Sequence, residues 1–120
     1  MNKALRIPDY LGHVLGAIER IDRYTTGMDE AAFLISDLVQ DAVIRNIEII
    51  GEASNHIQRV DPAFAARHAD IPWQVMYAMR NRVSHAYDRV DLVVIWQTVQ
   101  RDLPDLRTKV AVALTALQGN

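Results

Sequence analysis

The sequence predicts an all-α fold, an up-and-down bundle of four long helices with short additional helices. Apolar residues recur at three- and four-residue steps along most of the chain, as they do on one face of an α-helix. The β-branched residues fall inside that pattern instead of alternating with polar ones, so no stretch reads as a strand. Gly and Pro are few, five and four, and fall at plausible boundaries.

The first helix is expected from about Pro8 to Tyr24. Pro8 suits a first-turn position, and Leu11, Val14 or Leu15, Ile18 and Ile21 form its buried stripe. Thr25-Thr26-Gly27 stops it, and Asp29 can cap a short helix through Phe33. A long helix follows from about Ser36 to Arg59. Leu38, Val39, Ala42, Val43, Asn46, Ile49, Ile50, Ala53, Ile57 and Val60 make its stripe, and Ile44 and Ile47 widen it. So wide a face implies burial on two sides, at a bundle centre or a subunit contact. Gly51 sits in mid-helix, where it costs about 1 kcal/mol relative to Ala, and a close helix crossing would explain it.

Asp61-Pro62 ends that helix and starts a short one to about His68. Asp70-Ile71-Pro72-Trp73 reads as cap, staple and first turn of the next, which carries Val75, Met76, Met79 and then Arg80. Val90-Asp91 begins another helix, with Leu92, Val93, Ile95, Trp96 and Val99. Leu103-Pro104 is expected to break the line before a last helix with Leu106, Val110, Ala111, Leu114 and Leu117.

At 120 residues the chain is expected to be a single domain, residues 1–120. Hydrophobic residues at 50% and charged residues at 23% are ordinary for a globular protein. The absence of cysteine excludes disulfides and thiolate metal sites. Charges interrupt the apolar stretches of the N-terminus, so it lacks a signal-peptide pattern, and no apolar run reaches the roughly 20 residues that span a bilayer. A cytoplasmic protein with no membrane partner is the expectation. The net charge of -2 argues against a general nucleic-acid coat protein, though a nuclease needs only a local positive cleft. Arg80, Arg82 and Arg89 supply such a patch, offset by Asp88 and Asp91.

The chemistry concentrates in Arg80-Asn81-Arg82-Val83-Ser84-His85-Ala86-Tyr87-Asp88. Arginine presents a fixed cation and a planar fork of donors matched to phosphate oxygens. Histidine moves protons near neutral pH. On a continuous α-helix, Arg80 and His85 lie about 140° apart around the axis and do not share a face. They converge on one phosphate in two ways. Either the helix ends or distorts near Ser84, or a second subunit supplies the opposing pair. The plain alternative is a solvated helix end with alternating surface charges.

The chain resembles HEPN-domain proteins of the HepT-like branch, the toxin half of HepT/MntA toxin–antitoxin systems. The family mark is Arg-x4-His-x-Tyr, here Arg80 to Tyr87, with Asn81 directly after the arginine. Three more segments match: Arg45-Asn46-Ile47-Glu48-Ile49-Ile50-Gly51-Glu52-Ala53, Asp70-Ile71-Pro72-Trp73, and Val94-Ile95-Trp96 with Asp102-Leu103-Pro104. The resemblance implies a HEPN-like bundle and a metal-independent endoribonuclease without cofactor. It would act as a homodimer whose active cleft lies between the protomers, with RNA, often tRNA, as substrate. It makes Arg80 and His85 the catalytic pair. Asn81 would orient His85 or bond a phosphate oxygen, Glu52 would line the cleft near Arg80, and Arg82 and Arg89 would bind RNA. It also makes Tyr87 the acceptor of AMP from an MntA-like nucleotidyltransferase antitoxin. Ala86 stands where Gly is frequent in the family, and Asp88 follows Tyr87.

A rival of another class is a non-catalytic helical module that docks a minimal nucleotidyltransferase; a plain helical scaffold is the third reading. Glu48, Glu52 and His56 form a four-residue ladder that reads as a polar stripe more readily than as a metal face, because the paired Glu-x-x-His pattern of di-iron bundles is missing. His13 and His68 are expected at the surface, and Trp73 and Trp96 in the core or an interface.

Overall fold

Four long helical segments pack side by side in the computed structural model, which describes residues 6–85 and 91–119, with the side chains of 84 and 85 excluded. They are α1 (Arg6–Thr25), α3 (Asp37–Val60), α5 (Trp73–His85) and the run made of α6 (Leu92–Gln97), a π-helical turn (Thr98–Asp102) and α7 (Leu103–Gln118). Two short helices, α2 (Glu30–Leu34) and α4 (Pro62–Arg67), fill the connections. No strand occurs among the described residues, so the fold is all-α, as the periodicity predicts.

The local signals act where the sequence places them. In α1, Leu11, Val14, Ile18 and Ile21 are buried, joined by Ile7, Tyr10 and Ala17. Gly27, at φ 78°, reverses the chain beyond its end. The Asp29 carboxylate accepts the Ala32 N–H at 2.8 Å and starts α2. That helix delivers Phe33, fully buried, onto the Trp96 ring 5.2 Å away. Ser36 caps α3 and Asp61 caps α4 in the same manner.

The helix α3 is the centre of the bundle, with α1 and α5 packed on it. Ile44 and Ile47 are buried within this one chain, so this part of the wide apolar face serves the bundle centre. Asn46, buried on the same helix, satisfies itself by accepting from Arg20 Nε at 2.7 Å and donating to the Ala42 carbonyl at 2.8 Å. Leu38 departs from expectation. It fits the helical period, yet it is 80% exposed, because burial on α3 starts only beyond the first turn. Leu34 and Ile35 are exposed beside it in sequence.

Three further expectations are corrected. Asp70 is not the cap of α5: the helix starts at Trp73, and the Pro72 carbonyl takes the Met76 N–H at 3.0 Å. Asp70 instead offers its carbonyl to Lys109 Nζ at 3.1 Å, which ties α7 to the entry of α5. The Asp105 carboxylate, 2.9 Å away, hydrogen-bonds Lys109 and holds its pKa above the ordinary lysine value. Second, Leu103-Pro104 does not break the line. Pro104 lacks an N–H and its ring would clash with the carbonyl four residues back. The wider turn Thr98–Asp102, closed by the Leu103 N–H on the Thr98 carbonyl, shifts the ladder by one residue. Pro104 then falls in the first turn of α7, where no N–H is required. Third, Ala113 is buried in place of Ala111, because Leu106, Val110, Ala113 and Leu117 keep the helical step.

Trp73 and Trp96 are core rings. The Trp73 indole N–H donates to the Ala65 and His68 carbonyls, each at 3.2 Å, and so anchors α4 to α5. No helix among the described residues is long and apolar enough to cross a membrane.

Candidate functional site

The site is built on the crossing of α3 and α5 at Gly51. A Cβ there would overlap the Arg80 Cβ and lie 2.7 Å from the Met76 carbonyl oxygen. Only glycine allows the two backbones this close, which explains its place in mid-helix. The close approach lays the Arg80 side chain along α3. Arg80 Nε meets Glu52 Oε2 at 2.9 Å, and Arg80 Nη1 donates to Asn81 Oδ1 at 3.1 Å. The guanidinium plane is therefore held from both helices.

A cleft of about 270 Å3 opens beside Arg80. Its walls include Tyr10 and His13 of α1, and Arg45, Glu48, Glu52 and His56 of α3. The His56 and Tyr10 rings stack at 5.1 Å and 13°. His13 meets Tyr10 edge-on at 6.2 Å. The second Glu52 oxygen lies 4.0 Å from His56 Nε2, so one carboxylate stands between Arg80 and His56. Arg45 and Arg80 beside Glu48 and Glu52 give a cleft of mixed charge in which the arginines can meet phosphate.

Of the residues singled out from the sequence, the structure brings Arg80, Asn81 and Glu52 together. The Asn81 side chain holds Arg80, a contact different from the two foreseen for it. Arg82 is exposed. Tyr87 and Arg89 lie outside the described residues, as does the side chain of His85. The backbone of α5 is helical as far as His85. Over that helical stretch Arg80 and His85 lie about 140° apart around the axis.

The Glu48, Glu52, His56 ladder makes no metal set: among the described residues no three His, Asp or Glu side chains gather to hold an ion. The Tyr10–His56 stack is absent from the sequence reading. His56 carried a signal, one turn after Glu52 on the same face. Tyr10 carried none, because it continues the buried stripe of α1 and its pairing with α3 is purely tertiary.

Comparison with known proteins matches residues 14–113 to the family described as ribonuclease HepT-like. The chain is 44% identical over 101 residues to the probable ribonuclease HepT of Thermococcus cleftensis, an alignment covering 84% of this chain and 89% of the relative. It is 38% identical over 120 residues to a Methanocaldococcus jannaschii protein named as a gamma-glutamylcyclotransferase and candidate RNase. That alignment takes in 100% of this chain and 52% of the relative, so the chain spans about half that protein's length. A candidate RNase of the same organism is 30% identical over 103 residues, 86% of this chain and 92% of the relative. No solved structure gives a significant match. With the family match running through α3, the Gly51 crossing and the Arg80 helix, and a relative aligned over most of both lengths, the chain belongs to the HepT-like ribonuclease family.

Proposed function

We propose that this protein is a metal-independent endoribonuclease, the toxin of a HepT/MntA-type toxin–antitoxin system, with tRNA as its first substrate class and mRNA as the second. The observation that carries the reading is the fixed Arg80 guanidinium, clamped by Glu52 and Asn81 at the Gly51 crossing and placed on the helix that leads into His85. RNA carries its own nucleophile. The His85 imidazole takes the proton of a 2′-OH, and the 2′-oxygen attacks the adjacent phosphorus. Arg80 stabilises the charge that builds on the pentacoordinate phosphorus. The P–O5′ bond breaks, and the leaving 5′-oxygen takes a proton from the same residue of a second protomer. The products are a 2′,3′-cyclic phosphate and a 5′-OH end.

The about 140° separation of Arg80 and His85 on one helix supports a homodimer, with one protomer facing the other across the cleft. Tyr87, two positions beyond His85, is the proposed acceptor of AMP from an MntA-like nucleotidyltransferase. A bulky phosphoester beside the cleft would repel RNA by charge and by size. Arg82 and Arg89 are proposed to contact the RNA backbone.

One observation favours the rival, a non-catalytic module that docks the nucleotidyltransferase: the Arg80 charge is already paired with Glu52. An RNA oligonucleotide that wild-type protein cuts at one site, resynthesised with a single 2′-deoxy sugar at that site, decides between them. The ribonuclease reading expects cleavage of the first in EDTA and none of the second. Cleavage of the deoxy oligonucleotide contradicts the 2′-OH mechanism, and failure to cut any RNA leaves the docking module.

A further inference from the structure

We propose that His56, stacked on Tyr10, is a nucleobase platform: it takes a base of the bound RNA one or two nucleotides from the phosphate held at Arg80. This rests on the ribonuclease reading of the Arg80 cleft.

The stack has the build of such a platform. Tyr10 is only 8% exposed, so its ring is pinned in the core, and it fixes the imidazole in a nearly parallel plane. The His56 side chain remains 44% exposed and lines the cleft. A ring backed on one side and still exposed accepts any base, because every base has a π-face.

Its place fits the strand. His56 follows Glu52, the residue that pairs with Arg80, by one helical turn, a rise of about 6 Å. Successive nucleotides are spaced by about 3.4 Å along a stacked strand. A strand whose phosphate meets Arg80 thus carries a neighbouring base over His56. Arg45, seven residues before Glu52 on the same face of α3, lines the same cleft and offers a second cation to the backbone. The alternative is that His56 only covers the Tyr10 ring.

The test uses a 2′-O-methyl RNA oligonucleotide carrying one 2-aminopurine, whose fluorescence is quenched on stacking and which has no free 2′-OH to attack. Wild type, His56→Ala and His56→Phe are titrated as full chains, and cleavage of ordinary RNA is measured alongside. The platform predicts quenching on wild-type binding and about tenfold weaker binding with lost quenching in His56→Ala. Both return in His56→Phe, which restores the ring without the imidazole. Equal affinity in His56→Ala, no rescue by His56→Phe, or no binding by wild type each overturns the platform. Cleavage of ordinary RNA by a protein whose binding ignores His56 ends the platform and keeps the ribonuclease. His56-dependent quenching by a protein that cuts nothing does the reverse.

Discussion

Gly51→Ala is the sharpest test of how the site is built. In an unobstructed helix interior this change stabilises by about 1 kcal/mol, through backbone entropy and helix propensity. At Gly51 the added carbon meets the Met76 carbonyl oxygen at 2.7 Å and overlaps the Arg80 Cβ. Neither obstacle can rotate away, since one is backbone and the other the first atom of a side chain. With contacts at about 3.5 Å, clearing the Met76 oxygen alone moves α5 from α3 by roughly 0.8 Å, and clearing the Arg80 Cβ takes more. Overpacking of this kind costs about 1–3 kcal/mol. Set against the gain of about 1 kcal/mol, the net loss reaches about 2 kcal/mol, or about 8 °C in Tm for a chain of this size. The same shift moves the guanidinium against the cleft, and a misplacement near 1 Å costs up to about 100-fold in rate. The control is Gly12→Ala in α1, where nothing lies within 4 Å of the added carbon. It should raise Tm by a few degrees, with activity unchanged. Thermal unfolding by circular dichroism and RNA cleavage on the three proteins provide the comparison. A Gly51→Ala protein as stable as Gly12→Ala would refute the close crossing, and with it the account of why Arg80 is fixed.

Three other substitutions have worked magnitudes. Glu52→Gln removes a half-exposed ion pair and should change stability by less than about 1 kcal/mol, yet lower RNA cleavage about tenfold by releasing Arg80; unchanged cleavage would show that Glu52 does not hold the guanidinium in place. Phe33→Ala empties a fully buried position against Trp96 and should cost about 3–5 kcal/mol in urea unfolding, whereas a loss below 1 kcal/mol would mean that α2 is not docked. Asp91→Ala leaves the Val93 and Val94 N–H groups without their cap and should cost about 1 kcal/mol, seen as a Tm decrease of a few degrees.

The elements were legible because their signals are local. Asp29, Ser36, Asp61 and Asp91 cap helices where their short polar side chains stand before apolar periodicity. Gly51 was legible as a crossing because glycine in mid-helix carries a cost that something must offset. Pro104 misled because the rule that proline ends a helix omits the π-turn, which supplies the same relief without a break. Leu38 misled because periodicity says which face a residue shares, not whether a neighbour reaches that turn. At the site, Arg80, Asn81 and Glu52 stood out from motif and resemblance, while the clamp geometry did not. Asn81 was expected to serve His85 or phosphate, and only side-chain directions show it bonded to Arg80. The stack of Tyr10 on His56 joins two helices far apart in sequence, and no local pattern encodes such a meeting.

The central claim is that Arg80 and His85 cut RNA without a metal. The most direct measurement is a denaturing gel of total tRNA and mRNA incubated in EDTA with wild type and His85→Ala. Both proteins are first shown by intact mass to carry no AMP on Tyr87 and by sedimentation to be dimers. The account predicts discrete cleavage products with wild type alone. Uncut RNA with unmodified, dimeric wild type, or equal cleavage by His85→Ala, would contradict it.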